Sequence, residues 1–323
     1  MCTLALNEKR RDESVIVPPM DSTDIVLAMT LLQDSRTSYQ KLADQLGLSV
    51  NAVHKRIQLL MTQGIIRKFN ARISLSSLKA LNVLVYGNSK AAAPNKLHNL
   101  LGNHGSIYWV SYSGGNYLYI GAYLRDISDL GSLVNYIKEK AEIPEPTVGI
   151  ESSGSLQAST YGAEDKSLYP LDYRIIHSLH DNSRKPLSDV AEEVGISAKT
   201  ARLRLARMIK YHLVEFSLEW YPDASNDIIT IFHARLKPSP QKNVVGHLFK
   251  EYVPNVIVCW AFSNLPNEML VITWTDSVKN LRVLESKLEA DQSLESVTPN
   301  ILYSGYVFDT WRDRLLTERA RSK

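Results

Sequence analysis

The chain is 323 residues long, with 44% hydrophobic and 22% charged residues. This composition excludes collagen, mucin, coiled-coil rod and wholesale disorder, and the length predicts two or more domains. A formal net charge of +3, from 37 basic and 34 acidic residues, is too small to identify a nucleic-acid ligand from the total alone.

Two cysteines, Cys2 and Cys259, cannot build a disulfide framework or a four-thiolate zinc site. Cys259 lies in the apolar run Val256-Ile-Val-Cys-Trp260 and is expected to be buried. No apolar run reaches the ~18 residues of a membrane span. The opening MCTLALNEKRRDES is too charged for a signal peptide. A cytoplasmic protein with no membrane partner is expected.

From the first elements onward the chain repeats itself. Asp24-Ile-Val-Leu-Ala-Met-Thr-Leu31 resembles Asp172-Tyr-Arg-Ile-Ile-His-Ser-Leu179. At the same separation of 148 residues, Ser35-Arg36 falls on Ser183-Arg184, Leu46-Gly47-Leu48-Ser49 on Val194-Gly195-Ile196-Ser197, and Arg56 on Arg204. Further along, Trp109 falls on Trp260 and Asn116 on Asn267. The chain therefore reads as a tandem duplication of a two-part unit. The expected organisation is a flexible arm (1–20), helix-turn-helix 1 (21–75), sheet domain 1 (80–151), a linker rich in Ser, Gly and Ala (152–168), helix-turn-helix 2 (169–222), sheet domain 2 (226–305) and a tail (306–323).

In the first part of the unit, three short runs have helical spacing: Ile25, Leu27, Ala28, Leu31, Leu32, then Leu42, Ala43, Leu46, then Val50, Val53, Ile57, Leu60, Met61. Gly47 suits a left-handed helix C-terminus and Ser49 an N-cap, with only Leu48 between them. So tight a turn sets the third helix steeply against the second, as in a DNA-binding helix-turn-helix. The segments 65–73 and 213–221 carry β-branched or aromatic residues in partial alternation and read as the strand or wing that follows.

The third helix carries no acid between Ser49 and Gln63 in the first copy, nor between Ser197 and Tyr211 in the second. The acids of the second copy fall on its first two helices, at Asp172, Asp181, Asp189, Glu192 and Glu193. A modest overall charge thus hides two locally basic helices, suited to phosphate and to guanine edges in a major groove. The candidate DNA-binding residues are Ser49, Asn51, His54, Lys55, Arg56 and Gln58 in the first copy. In the second they are Ser197, Lys199, Thr200, Arg202, Arg204, Arg207 and Lys210. Arg204 and Arg207 are expected to contribute more to binding than Lys55 and Arg56. Bracing of the wing or of a helix end is the competing role for Arg56 and Arg204.

From Asn82 the pattern becomes strand, helix, strand, strand, helix, strand in both copies, the ferredoxin-like βαββαβ order. Two helices on one face leave the other sheet face bare, and such a face needs a partner sheet. The expected fold class is α+β, with two winged helix-turn-helix domains alternating with two ferredoxin-like domains. The sheets are expected to associate, as a pseudo-dimer within the chain or as a homodimer.

This order of elements resembles the Lrp/AsnC (leucine-responsive, feast/famine) transcription regulators. The residues that carry the resemblance are Ala43-Asp-Gln-Leu-Gly-Leu-Ser49, Val53-His-Lys-Arg56, Gly64-Ile-Ile-Arg67 and Trp109-Val-Ser-Tyr-Ser-Gly-Gly115. It covers residues 22–151 and, more weakly, 169–305. It implies RAM-type ferredoxin-like domains, a sequence-specific double-stranded DNA partner, and a small effector such as an amino acid bound where sheet domains pair. The family's hairpin commonly has a glycine, an aromatic and an aspartate. Here it reads Ser113-Gly114-Gly115-Asn116-Tyr117 and, in the second copy, Ser263-Asn264-Leu265-Pro266-Asn267-Glu268, with no aspartate in either. Ser113, Gly114, Gly115 and Asn116 are the candidate effector residues, with a purely structural hairpin as the alternative.

No Walker loop, dinucleotide fingerprint or zinc-like Cys/His cluster is present, and no cofactor, metal or catalytic residue is expected. Siroheme decarboxylases resemble the same two-part unit and are the alternative. That resemblance implies histidine and arginine beside a tetrapyrrole, for which His98, His104, His233 and Arg235 are candidates. Trp109 and Trp260 are expected in the core. Asp309 to Arg321 reads as a short basic helix with Trp311 and Leu315 on one side, either packed against the partner copy, touching phosphate, or a surface helix with a frayed end.

Overall fold

The computed structural model describes residues 19–152, 167–238 and 243–322. The expected arm (1–20) and linker (152–168) lie almost wholly outside the described residues.

The first helix-turn-helix comprises α1 (Ser22–Gln33), α2 (Tyr39–Leu46) and α3 (Val50–Thr62). Its caps are those the residues dictate. Gly47 closes α2 in the left-handed region at φ 64°, and the Ser49 hydroxyl accepts the Ala52 N–H to open α3. A single strand follows, β1 (Ile66–Ile73). The first sheet domain runs β2 (Leu81–Asn88), α4 (His98–Gly102), β3 (Ile107–Ser113), β4 (Tyr117–Leu124), α5 (Leu130–Lys140) and β5 (Thr147–Ile150).

The second copy repeats this order with α6 (Pro170–Leu179), α7 (Leu187–Val194), α8 (Ala198–Lys210) and β6 (Val214–Trp220). Then come β7 (Ile228–Leu236), α9 (Val244–Glu251), β8 (Val256–Ala261), β9 (Glu268–Thr275), α10 (Val278–Glu289), β10 (Leu294–Val307) and α11 (Trp311–Arg321). Helix α4 is only 5 residues long. It has no side-chain N-cap and is preceded by a 3-10 turn at Pro94–Lys96, so its first turn lacks the bonds that would extend it.

The wing is shared between the copies. Each helix-turn-helix supplies one strand, and β1 pairs antiparallel with β6 from Ile66↔Trp220 to Ile73↔Val214. Each helical core also packs across this ribbon onto the other copy's strand. Leu218 of β6 joins the core of Ile25, Leu31 and Ile57, while Ala71 and Ile73 of β1 join that of Ile175, Leu179 and Met208.

The two sheet domains meet within one chain. Strand β10 pairs β7 over its first half (Leu294↔Leu236 to Ile301↔Thr230) and β3 over its second (Leu302↔Ser113 to Val307↔Trp109). The sheet order is therefore β5-β2-β4-β3-β10-β7-β9-β8. Its two outer strands meet again at a Glu151↔Phe262 bridge, supported by Ser152 N–H to the Ala261 carbonyl at 2.8 Å and Ser263 N–H to the Ile150 carbonyl at 2.9 Å. The eight strands thus close on themselves.

Closure explains why β2 is apolar on both faces. Val83 and Val85 pack under α4 and α5, while Leu84 and Tyr86 face the opposite sheet with Tyr119, Ile231, Phe262 and Leu270. Trp109 and Trp260, equivalent in the two copies, come together here with ring centroids 5.6 Å apart, half-buried rather than deep in a core. Cys259 is half-buried beneath the helices of its own sheet, where burial pushes its thiol up to about 12.

The tail is structural. Strand β10 continues to Val307, past the expected sheet boundary at 305, because its second half has β3 as a partner. Helix α11 then docks onto the second helix-turn-helix, burying Trp311, Arg312, Asp313 and Leu316, with Leu315 only partly covered. The Trp311 indole donates to the Tyr123 carbonyl at 2.8 Å.

Candidate nucleic-acid interface

The two third helices, α3 and α8, are held in one frame by the β1–β6 ribbon and by contacts between the turns of the two copies. Ser49, Asn51, His54, Lys55 and Gln58 are exposed on α3, as are Ser197, Lys199, Arg202 and Lys210 on α8. The hydroxyls of Ser49 and Ser197 are committed to capping, accepting the Ala52 and Thr200 N–H groups at 3.1 Å each. Ser197 also bonds the Thr200 hydroxyl at 2.8 Å, and His54 sets its ring edge-on to Tyr39 at 5.4 Å.

The arginines divide into two classes that charge counting does not separate. Arg56 is bound at 2.8 Å to both Asp21 and Asp24, the carboxylates at the start of α1. The hydrogen bond to Asp24 raises the Arg56 pKa above its ordinary value. Burial alone would raise the Asp21 carboxyl, but the Asp24 backbone N–H and Arg56 outweigh it and hold the group below its ordinary value.

In the second copy, Arg207 lies 3.1 Å and Arg204 3.7 Å from Asp172, whose side chain is fully buried. Both guanidinium groups also stack over Tyr169, at 4.8 and 5.3 Å. Arg207 further donates to the Ser167 carbonyl at 2.7 Å. This geometry gives Arg204 and Arg207 a bracing role beside the DNA contact expected of them. These two and Arg56 tie the third helix to the first. The buried Asp172 carboxylate needs a paired cation, so the charges of Arg204 and Arg207 serve the fold, whereas Arg56 pairs with more exposed carboxylates.

The sequence pattern passed over Leu203. It is 63% exposed on α8, between Arg202 and Arg204. Helical spacing places it on the solvent side, and its position among basic residues is the signal that would have found it.

The candidate effector hairpin at residues 113–116 is part of the seam between the sheets. Ser113 pairs with Leu302, its hydroxyl donates to the Tyr117 carbonyl at 3.2 Å, and the Asn116 carbonyl accepts the Ser89 N–H at 3.0 Å. Gly115 and Asn116 take positive φ, 67° and 60°, which the tight turn requires.

Of the four tetrapyrrole candidates, only His233 and Arg235 come together, lining one cavity with Tyr86 and Glu268. His98 stacks on Tyr306 at 3.9 Å, and His104 lies 4.6 Å from Tyr136. His233 bonds the Tyr119 hydroxyl at 2.6 Å inside the closed sheet, where burial lowers its pKa. Arg235 lies at the sheet margin, 3.9 Å from Glu268.

The chain is similar to known helix-turn-helix proteins in both of its repeats. The profile of the AsnC-type helix-turn-helix domain matches twice, at residues 20–61 and 170–209. An HTH-type transcriptional regulator of Pyrococcus furiosus is 31% identical over 124 residues, covering 37% of this chain and 84% of that protein. Shorter matches are 34% identical over 59 residues to a Pyrococcus horikoshii regulator and 36% over 55 residues to LrpA of Mycobacterium tuberculosis. They span 40% and 37% of those proteins' lengths. Over 92% of this chain and 98% of the other, the fold is similar to that of the siroheme decarboxylase NirDL, with a TM-score of 0.57 at 12% identity. That likeness is one of fold alone. With two AsnC-type helix-turn-helix units, each followed by a βαββαβ domain, and a relative matched over most of its length, the chain belongs to the Lrp/AsnC family.

Proposed function

We propose that the protein is a sequence-specific regulator of transcription that binds double-stranded DNA through α3 and α8. The observation that carries this is the exposed, acid-free surface of both helices within one hydrogen-bonded frame. Lys55, Lys199, Arg202 and Lys210 supply phosphate contacts by counterion release, and Asn51 and Gln58 have the donor–acceptor geometry for adenine edges. Leu203 offers apolar contact to a thymine methyl group. The two helices differ in sequence, so the half-sites they read differ too. Hairpin 113–116 is assigned a structural role, because its polar groups serve the turn and the seam.

The test is fluorescence anisotropy on a promoter fragment from upstream of the protein's own gene, titrated with salt and challenged with random competitor DNA. Competitor-resistant binding with a steep salt dependence is expected. Affinity equal for promoter and competitor would refute the proposal.

The full-length fold likeness to a siroheme decarboxylase favours a second reading, a tetrapyrrole enzyme. A tetrapyrrole rich in carboxylates needs several converging cations; His233 and Arg235 share one cavity, but His98 and His104 lie elsewhere, which weighs against it. A siroheme absorbance titration separates the two readings.

A further inference from the structure

The first repeat carries a contact that the second does not reproduce. Tyr39 opens α2, and its ring meets the His54 imidazole of α3 edge-on, with ring centroids 5.4 Å apart. Over the same tyrosine ring lies the Arg184 guanidinium of the second repeat, 4.4 Å from the centroid. Arg184 is itself fixed, because it donates to the Ser35 and Thr37 carbonyls at 2.6 and 2.9 Å. A residue of the second helix-turn-helix is thus linked, through one aromatic ring, to an exposed side chain on α3.

At the repeat separation of 148 residues, Leu187 stands in place of Tyr39, Arg202 in place of His54 and Arg36 in place of Arg184. Arg184 also lies over Phe69 at 5.5 Å, and Arg36 lies over Phe216 at 5.8 Å. Leu187, however, offers no ring to pass the contact on to Arg202. The link therefore runs one way, from the second repeat to the first. A cation over the face of a tyrosine is attracted by the ring quadrupole, which holds Tyr39 in place. An exposed imidazole must be ordered when it meets a ligand, and that cost falls when a neighbouring ring already restricts it. Its N–H matches the N7 and O6 acceptors of guanine in a major groove.

We propose that Arg184 and Tyr39 are positioning residues that hold His54 ready to donate to a base in the half-site read by α3. Reading of that half-site then depends on the other repeat, whereas α8 reads its own half-site without such help. The inference rests on the DNA-binding reading.

Two measurements on the full chain test it. In the free protein, the imidazole proton resonances of His54, assigned with His54→Gln, should move in Tyr39→Leu and stay in place in Tyr39→Phe. They should also move in Arg184→Gln, which keeps a donor for the carbonyls and removes the cation. Should Arg184→Gln fail to fold, Tyr39→Leu carries the test. Fluorescence anisotropy then uses the promoter fragment with either half of its site randomised. The half read by α3 is the one whose randomisation erases the effect of His54→Ala. With that half intact, His54→Ala should weaken binding by about five-fold. Tyr39→Leu should weaken it by about three-fold, and Tyr39→Phe should restore it. Tyr39→Leu should add nothing to His54→Ala, and neither should alter binding to the fragment that retains only the other half.

If the wild type binds the promoter specifically, any of four results overturns the proposal and leaves the DNA-binding reading standing. These are unweakened binding in His54→Ala, unweakened binding in Tyr39→Leu, additive losses in the double variant, and His54 resonances that do not move in Tyr39→Leu. If the wild type does not distinguish promoter from competitor, the DNA-binding reading fails and the proposal falls with it.

Discussion

The hydroxyls of Ser35 and Ser183 lie 2.6 Å apart, and both residues are fully buried. They are separated by 148 residues and occupy the same place in the two repeats. Around them the contacts are reciprocal. Arg36 donates to the Ser183 carbonyl, and Arg184 donates to the carbonyls of Ser35 and Thr37 at 2.6 and 2.9 Å. The pair marks a local two-fold relation between the helix-turn-helix units, and so the frame that sets α3 relative to α8.

Replacing either serine by alanine leaves the other hydroxyl buried without its partner. Ser35→Ala and Ser183→Ala should each cost about 1–2 kcal/mol in urea unfolding. The double variant should cost less than the sum of the two, because it leaves no orphan. Strict additivity would show that the bond contributes nothing.

The two classes of basic residue on α8 should separate in experiment. Lys199→Ala and Arg202→Ala should weaken DNA binding and leave the melting temperature unchanged. The salt slope should fall by about 0.9 for each phosphate that the variant no longer neutralises. Arg207→Ala should instead lower stability by about 3 kcal/mol, since it weakens the pairing of the buried Asp172 carboxylate. Arg56→Ala, whose partners are more exposed, should cost about 1 kcal/mol or less. A normal melting curve for Arg207→Ala with weakened DNA binding would return that residue to the DNA-binding class.

Asp313 joins the tail to the rest of the molecule. It lies 2.9 Å from Arg72 and 3.1 Å from His180. Burial opposes its ionisation, but the His180 hydrogen bond and the Arg72 charge prevail and hold the carboxyl well below its ordinary value. A carboxyl whose folded pKa is depressed stabilises the fold above its unfolded pKa, and that contribution fades as pH falls through the folded value. Stability should therefore drop progressively below about pH 4. Asp313→Asn should cost about 2–4 kcal/mol at pH 7 and flatten the acid limb of the stability curve. An unaltered acid limb in the variant would refute this.

Gly149 marks the closure of the sheet. A β-carbon at this position would fall 2.4 Å from the Phe262 ring, which bridges to the neighbouring Glu151. Gly149→Val should displace Phe262 and destabilise the closed sheet by about 1–3 kcal/mol. Denaturant titration monitored by circular dichroism reads this directly, and wild-type stability would mean that the closure has slack.

Much of the molecule is legible in its residues because the chemistry that shapes it is local. Gly47 and Ser49 define a helix-turn-helix because each satisfies backbone groups within its own turn. The strands at Ile107–Ser113, Tyr117–Leu124 and Ile228–Leu236 take their places in the βαββαβ order that the pattern predicts. The fixed separation of the repeats already aligns Ser35 with Ser183. Other features depend on residues far apart in the chain, which local pattern does not specify. Tertiary structure alone decided that β10 would leave its own sheet for β3, closing the strands within one chain. It also decided that Arg204 and Arg207 of the basic face would pair with the buried Asp172. A positive charge is visible in a sequence, but whether it meets solvent or a buried carboxylate depends on which helix packs behind it.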